Sequence, residues 1–181
     1  QEESICRCST LLPCLANDYL IENFYQRHFD LIHSNRMNNL YNDDCSYTPG
    51  VCVFKSDTLH PKLMDKEDWY YVDVITSAAP NLYKNHFHPG DYYPEEDEIR
   101  EILLRRIRKI FDVAVKEGVE VLILGAFGCG AFKNPPQIVA EVMKELIQDY
   151  LYSFEKIEFA IYSSHEESYN LRTFKRVFGR E

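Results

Sequence analysis

The sequence has few glycines and prolines and no long apolar run. Seven glycines and eight prolines among 181 residues are too few for a disordered or fibrous chain. No apolar stretch approaches the roughly 18 residues of a membrane span, so we expect no membrane partner. Cationic residues are also few: 20 Lys and Arg against 29 Asp and Glu give a net charge of −9. Because nucleic-acid phosphates bind cationic surfaces, this charge disfavours duplex DNA but allows a local pocket for one small anion.

Cysteine is present in moderate number. Six cysteines do not form the dense disulfide framework of a short secreted chain, so we expect reduced thiols. Residues 1–5 have neither the basic start nor the apolar stretch of a signal peptide. The expected reduced thiols favour a cytoplasmic protein, or a nuclear one in a eukaryote. Its length suits one domain of about 150 residues with a short extension.

Helical and strand-like stretches alternate along the chain. Apolar residues recur at helical spacing over 18–33, 99–115, 135–151 and 171–178. Short apolar runs predict strands at 51–54, 72–76, 119–124 and 157–162. The stretches 35–49 and 84–94 are rich in polar and turn residues and predict loops. This order predicts an α/β protein with right-handed crossovers and helices on the faces of a sheet.

The predicted strand at 119–124 directs attention to one end of that sheet. Its four consecutive apolar residues favour burial on both faces, as in a parallel sheet. Ligands of such sheets bind beyond the carboxyl ends of the strands. We therefore expect a site among the loops after Thr76, Leu124 and Tyr162.

The segment after Leu124 has the composition of a phosphate-binding loop. Gly125, Gly128 and Gly130 allow a positive φ and close approach of a ligand to the backbone. Asn134 is a candidate N-cap, with Pro135 at the first helical position, so that free amides at a helix start would face an anion. The spacing matches neither the dinucleotide fingerprint nor a Walker loop. A tight turn without a ligand is the alternative interpretation.

Two other reactive features carry weaker signals. The adjacent pair Glu2-Glu3 supplies carboxyl groups of the kind that acid/base catalysis needs, but such a pair is by itself typical of a solvated surface. Cys129 lies in the segment from Gly125 to Phe132, the glycine loop, before a predicted helix, where the pKa of a thiol can fall. A small residue in a tight loop is the simpler interpretation of Cys129.

The potential metal ligands fall into two groups: Cys6, Cys8, Cys14 and His28, and His86, His88 and Asp91. The first group lacks the usual Cys-x2-Cys spacing and favours small buried side chains over a zinc site. The second group lacks an obvious further ligand and favours solvent-facing loop histidines. We therefore predict no metal and no cofactor.

Four blocks of sequence together resemble the bacterial-type poly(ADP-ribose) glycohydrolases, a branch of the macrodomain superfamily. The first block, Gln-Glu-Glu-Ser-Ile-Cys-Arg-Cys-Ser-Thr-Leu, is similar to the start of the family's catalytic signature. The second, Tyr-Thr-Pro-Gly-Val-Cys-Val-Phe, resembles the family's Tyr-Ser-Pro-x-Val-Pro-Val-Phe strand. The blocks lie at 1–11, 47–54, 74–81 and 124–132. Their shared order over nearly the whole chain is far more specific than any one block.

This resemblance implies both a fold and an activity. The implied fold is a macrodomain-like three-layer α/β/α sandwich with a mostly parallel mixed central sheet and ADP-ribose bound over it. The implied activity is hydrolysis of the ribose–ribose O-glycosidic bonds of poly(ADP-ribose). ADP-ribose, its polymer and ADP-ribosylated proteins are the implied partners. A non-catalytic ADP-ribose reader and a hydrolase of mono-ADP-ribosylated proteins remain as alternatives.

The resemblance also implies roles for individual residues. The second glutamate of the family motif is the catalytic acid/base, which corresponds to Glu3. The preceding glutamate, Glu2, helps to hold the ribose hydroxyls, and Gln1 is an expected substrate-binding residue. The family's Gly-Cys-Gly-x-Phe loop wraps the diphosphate, and its aromatic residue, here Phe132, orients the distal ribose. The substrate-binding residues implied by this loop are Gly125, Gly128, Cys129, Gly130, Ala131 and Phe132.

The sequence departs from the family pattern in one respect. The family has a Gly-Gly-Gly stretch shortly before Gln-Glu-Glu, and earlier strands, and neither is among these 181 residues. We therefore expect residues 1–181 to form a single macrodomain-like ADP-ribose-binding domain that lacks those N-terminal parts.

Overall fold

The computed structural model describes residues 2–58, 60–84, 90–163 and 167–179. The chain divides into two compact units, one of Gln1–Arg36 with Asp44–Ser77 and one of Met37–Asp43 with Ala78–Glu181. Helices and strands occur in both units, so the predicted α/β class is confirmed. No described helix is long and apolar enough to cross a membrane.

Apart from a 3-10 helix at Lys66–Asp68, between the two strands, the helices of the first unit precede its strands. They are α1 (Glu2–Cys8), α2 (Leu11–Leu15), α3 (Asp18–Leu20), a π-helical segment (Ile21–Gln26) and α4 (Arg27–His33). The last three run on from one another, so the helix predicted at 18–33 is confirmed. The π-helical segment, in which the hydrogen bonds span five residues, was not predicted.

The strands of the first unit, β1 (Cys45–Val53) and β2 (Tyr70–Ser77), pair antiparallel. β2 confirms the strand predicted at 72–76. The prediction of a loop over 35–49 is wrong at its end, because β1 already begins at Cys45. Asn and Asp dominate the start of that stretch, whereas Ser46 and Thr48 are buried in the strand pairing. Local polarity therefore misplaced the start of the strand.

A small apolar core holds the first unit together. Its buried members are Leu11 and Leu15 of α2 and Val51 of β1. Packed against them are Ile5, Cys6, Leu20, Tyr25, Val72 and Val74. Each of α1, α2, α3, the π-helical segment, β1 and β2 thus contributes at least one side chain to this cluster.

The second unit contains a β–α–β arrangement between two further helices. Its elements are α5 (Glu96–Lys116), β3 (Val121–Leu124), α6 (Pro136–Asp149), β4 (Lys156–Phe159) and α7 (Tyr169–Phe178). β3 and β4 pair in parallel, from Val121 opposite Lys156 to Leu124 opposite Phe159. The predicted helices and strands are thus confirmed within a few residues, except that β4 ends before 160–162. Gly118, at a φ of 71°, follows the end of α5.

The prediction that β3 is buried on both faces is wrong. Leu122 and Leu124 are buried, whereas Val121 is 47% and Ile123 is 60% exposed. Successive side chains of a strand point to opposite faces. On the covered face, Phe159 of β4 packs its ring against helix α7. A continuous apolar run therefore did not distinguish one covered face from two.

Candidate active site

Helix α1 carries Glu2 and Glu3 and is joined to the end of β1 by backbone hydrogen bonds. The Phe54 N–H donates to the carbonyl of Cys8 at 3.0 Å, and the Thr10 N–H donates to the carbonyl of Cys52 at 2.9 Å. The Cys52 N–H in turn donates to Thr10 Oγ1 at 2.9 Å. A helix of seven residues is marginal in isolation, so these bonds and the apolar core determine where the glutamates lie within the unit.

The two glutamates differ in exposure and in acidity. Glu2 is half-buried and Glu3 is exposed. Burial raises the pKa of Glu2, and the neighbouring charge of Glu3 raises it further. A hydrogen bond from its own backbone N–H lowers the pKa of Glu3. As pH falls, Glu2 therefore takes up a proton before Glu3 does. Neighbouring carboxyls whose pKa values are pushed apart are a common feature of acid/base sites.

Tyr25, in the π-helical segment, interacts with this pair. Its hydroxyl is buried, and burial, followed by the charge of Glu2, raises its pKa to about 12. π-helical turns are frequent at functional sites. Tyr25 falls on the apolar positions of the helical spacing over 18–33, and spacing of three and four residues does not reveal a π-helical turn. No other sequence signal would have associated Tyr25 with Glu2.

The loop between β3 and α6 is stabilised by its own backbone. Three hydrogen bonds form within it: Cys129 N–H to Ala126 O at 3.0 Å, Lys133 N–H to Gly130 O at 3.3 Å, and Asn134 N–H to Gly128 O at 3.0 Å. Gly130 and Ala131 are exposed at its tip, whereas Phe132 is half-buried. The backbone of the loop is therefore exposed to solvent at Gly130 and Ala131, and the residues on either side of this tip are half-buried.

Gly128 cannot be replaced by a larger residue without movement of its neighbours. Its φ is 70°, in the region that favours glycine. A Cβ at this position would lie 2.3 Å from Asn134 Nδ2 and 2.5 Å from Ala79 Cβ. The predicted positive φ is therefore confirmed at Gly128 but not at Gly125 or Gly130. The atoms close to Gly128 belong to the protein, so the approach of a ligand to this backbone stays a prediction.

The prediction that Asn134 caps helix α6 is wrong. The helix begins at Pro136, and Pro135 occupies the N-cap position. An Asn134 cap would accept a hydrogen bond from the backbone N–H two or three residues further on, and the first of these residues, Pro136, has no N–H. The side chain is instead 1% exposed, and its Nδ2 donates to Pro80 O at 2.7 Å and to Gly128 O at 3.1 Å. Asn134 therefore joins the glycine loop to the stretch that follows Ser77.

Cys129 does not have the acidic thiol that its place before a helix allowed. Burial raises the pKa of Cys129 to about 12, and its Sγ donates to Phe127 O at 3.6 Å. The group is therefore a neutral thiol at physiological pH. This environment fits the interpretation of a small loop residue and disfavours a thiolate nucleophile.

Other predicted candidates yield no site in the part of the chain that the structure describes. No three His, Cys, Asp or Glu side chains among the described residues are grouped so as to hold a metal ion. Cys8 is buried, and Cys6 and Cys14 are half-buried. Gln1 and the His86-x-His88 pair lie outside the described residues.

The structure assembles the predicted residues in two groups. Glu2 and Glu3 lie together in the first unit, and the loop residues from Gly125 to Phe132 lie together in the second. The second group follows a parallel strand at its carboxyl end and precedes a helix, which is the usual place for a phosphate ligand in an α/β protein. The fold and the position of the loop are thus typical of phosphate-binding α/β proteins.

Comparison with known proteins identifies the family. Residues 1–56 match the model of the microbial-type poly(ADP-ribose) glycohydrolase (PARG) catalytic domain. A point mutant of the glycohydrolase from Deinococcus radiodurans, solved with ADP-ribose, is 30% identical, with a TM-score of 0.80 over 98% of this chain and 67% of that chain. The chain therefore belongs to the microbial-type poly(ADP-ribose) glycohydrolases, and the resemblance found in the sequence is confirmed.

Two further structures support this assignment. The Deinococcus radiodurans glycohydrolase in complex with ADP-ribose is 29% identical, with a TM-score of 0.81 over 99% of this chain and 67% of that chain. The glycohydrolase from Thermomonospora curvata is 32% identical, with a TM-score of 0.79 over 98% of this chain and 60% of that chain. The predicted macrodomain-like α/β fold is thus confirmed. A search of curated proteins found no match.

Proposed function

We propose that this protein is a poly(ADP-ribose) glycohydrolase, a hydrolase that cleaves ribose–ribose O-glycosidic bonds and releases ADP-ribose. One observation carries the proposal: a chain of this family places a Glu2-Glu3 pair with divergent pKa values on a helix anchored to β1. The Deinococcus relatives with ADP-ribose bound support ADP-ribose as the unit of substrate that the protein recognises.

The glycine loop binds the diphosphate of the substrate in this proposal. Gly130 and Ala131 are exposed, so their backbone is available to phosphate oxygens. Gly125, Gly128 and Cys129 shape the loop, and Phe132 at its end orients the distal ribose. The cationic charge that phosphate binding needs does not come from the chain as a whole, whose net charge is −9. Backbone amides at a loop before a helix supply a local positive potential instead.

Glu3 acts as the acid and then as the base. As acid, it transfers a proton to the leaving ribose oxygen while the bond from the anomeric carbon to that oxygen breaks. The positive charge that develops on the ribose is stabilised by the diphosphate held in the loop. Water then attacks the anomeric carbon, and the Glu3 carboxylate accepts the proton that the water releases. The reaction consumes one water and regenerates the Glu3 carboxylic acid.

The lowered pKa of Glu3 in the free protein is compatible with this role. Glu3 is exposed, so a bound polymer removes water from around its carboxyl. Loss of hydration disfavours the charged form and raises the pKa. Substrate binding therefore converts Glu3 into the protonated acid that the first step requires. Glu2, whose pKa is already raised, and Gln1 hold the ribose hydroxyls.

A non-catalytic ADP-ribose reader and a mono-ADP-ribosyl hydrolase are the alternatives. The Glu2-Glu3 pair favours an enzyme over a reader. Polymer and mono-modified protein share the ADP-ribose unit that the loop recognises, so activity on each must be measured. We further propose that residues 1–181 act as one domain, that ADP-ribosylated proteins are the partners, and that the protein is cytoplasmic.

The test is incubation of the protein with poly(ADP-ribose) and, separately, with a mono-ADP-ribosylated protein, followed by measurement of free ADP-ribose. Release from the polymer supports the proposal, and release from the mono-modified protein alone favours the second alternative. ADP-ribose should also raise the melting temperature, since a ligand that binds only the native state stabilises it. Duplex DNA should not raise it. A shift with DNA and none with ADP-ribose would contradict the proposal.

A further inference from the structure

Phe132 lies against a second aromatic side chain of its own unit. The ring centroids of Tyr41 and Phe132 are 6.0 Å apart, with 45° between the ring planes, within the range of about 4.5–7 Å in which aromatic pairs attract. Both side chains are half-buried. Tyr41 belongs to the segment Met37–Asp43, which is part of the second unit although its neighbours in sequence belong to the first.

Tyr41 has an unusual backbone conformation. Its φ is 57°, in the left-handed region that a bulky side chain rarely adopts. Backbone strain of this kind persists only where the surrounding structure imposes it, and it concentrates at functional sites. The contacts around Tyr41 must therefore hold it in this conformation.

Hydrogen bonds on both sides of Tyr41 impose this conformation. The Tyr41 N–H donates to Asn38 O at 3.1 Å. Arg106 of helix α5 is only 1% exposed. Its Nη1 donates to Leu40 O at 2.9 Å, and its Nε donates to Asp43 Oδ1 at 3.1 Å. A buried guanidinium thus holds the chain on each side of the strained residue.

The same segment is joined to the stretch that holds Phe132. Asn39 Nδ2 donates to Asn81 O at 2.7 Å, and the Asn81 N–H donates to Asn39 O at 2.9 Å. One residue further on, the Leu82 N–H donates to Phe132 O at 2.8 Å. The two rings are therefore held by one connected set of hydrogen bonds, in addition to their direct contact.

The geometry points to Tyr41 as a positioning residue whose ring sets the orientation of the Phe132 ring toward the distal ribose. This inference rests on the proposed function, because Phe132 orients the ribose only if the substrate is bound there. Tyr41 acts through Phe132 and takes part in no bond-making step. The aromatic ring is the part of Tyr41 that matters, since the contact with Phe132 is a ring contact.

The first test separates the ring from the fold. Tyr41→Leu removes the ring, and we expect kcat on poly(ADP-ribose) to fall about 10- to 100-fold with little change in KM, since small misplacements at a reacting group cost up to about 10²-fold. Tyr41→Phe should recover most of this rate. Tyr41→Gly relieves the positive φ, so its melting temperature should not fall below that of Tyr41→Leu, while kcat falls equally. Tyr152→Leu, at a fully exposed tyrosine of the same unit, is the matched control.

The second test is a double-mutant cycle. If Tyr41 acts through Phe132, Tyr41→Leu in a Phe132→Leu background should slow the reaction by less than about twofold, because residues that act as a unit are non-additive. Independent, multiplicative losses in kcat would overturn the inference. So would an unchanged rate per folded molecule in Tyr41→Leu.

A third measurement does not depend on catalysis. Fluorine NMR of protein labelled with fluorophenylalanine, with the Phe132 signal assigned by its loss in Phe132→Leu, reports the environment of that ring. Tyr41→Leu should shift or broaden this signal, and Tyr152→Leu should not. If the unmodified protein has no glycohydrolase activity, the proposed function fails, and the fluorine signal still decides whether Tyr41 positions Phe132. An unchanged signal in Tyr41→Leu would refute that role.

Discussion

The two candidate site segments differ in which atoms they use. Helix α1 supplies side-chain carboxyls, Glu2 and Glu3, on a short element anchored to β1. The glycine loop supplies backbone, and its shape depends on a missing side chain at Gly128 and a buried one at Asn134. Substitutions in α1 should therefore change the chemistry and leave the fold intact. Substitutions in the loop should change the structure first and ligand binding as a consequence.

The largest expected effect belongs to Glu3→Gln. It removes the proton-transferring group and keeps its size, so turnover should fall at least about 10²-fold, the lower range for general acid–base catalysis. ADP-ribose affinity, measured by calorimetry, should change far less. Glu155→Gln, at an exposed carboxyl of the second unit, should keep the wild-type rate. Near wild-type turnover in Glu3→Gln would remove Glu3 from the mechanism.

Gly128→Ala tests the glycine loop, in which we expect a substitution to change the structure first. The added methyl meets Asn134 and Ala79 and is placed at a positive φ, so we expect a loss of about 2–5 kcal/mol in unfolding free energy and weaker ADP-ribose binding. Gly130→Ala, where a Cβ meets nothing within 4 Å, is the control for stability. Equal denaturation midpoints for the two variants would show that the loop tolerates a side chain at either position.

Asn134→Ala should have a smaller effect of the same kind. It removes the donor to Pro80 O and Gly128 O and leaves a buried carbonyl without that partner, which costs about 1–3 kcal/mol. In Asn134→Ala, ADP-ribose affinity should fall along with stability. In Glu3→Gln, by contrast, turnover should fall while ADP-ribose affinity changes far less. Chemical denaturation and calorimetry on the same preparation check this. Lost stability with unchanged affinity would separate Asn134 from the shape of the ligand loop.

The smallest effect concerns the pH dependence of stability in α1. The folded-state pKa of Glu2 is raised above 4.5, so ionised Glu2 destabilises the fold at neutral pH, and this cost disappears as pH falls below 4.5. The pKa of Glu3 is lowered, so its ionised form stabilises the fold at neutral pH, and this contribution is lost as pH falls through the folded-state pKa. At pH 7, Glu2→Gln should therefore raise the melting temperature and Glu3→Gln should lower it slightly. Shifts of the same sign would contradict the assignment of these two environments.

The sequence predicts most helices and strands of the second unit correctly, and it predicts fewer features of the first unit. The helices α5 and α6 carry long apolar stripes, and their ends lie within a few residues of the predicted positions. The start of β1 at Cys45 was missed because local polarity dominates that stretch, while long-range pairing with β2 decides it. The expectation of one domain over residues 1–181 stays a prediction, which a single cooperative melting transition would support.

The sequence by itself determined the α/β class, the family, the glycine loop and the two glutamates, because each depends on residue type, spacing or order along the chain. Only the tertiary structure decided what the polar side chains do. Asn134 was predicted to cap a helix and instead fills the space beside Gly128. Neither Tyr25 nor Tyr41 carried a sequence signal for its role. Their roles depend on contacts between residues that are far apart in sequence: Tyr25 with Glu2 and Tyr41 with Phe132. No local pattern encodes such distances, so folding alone brings these groups together.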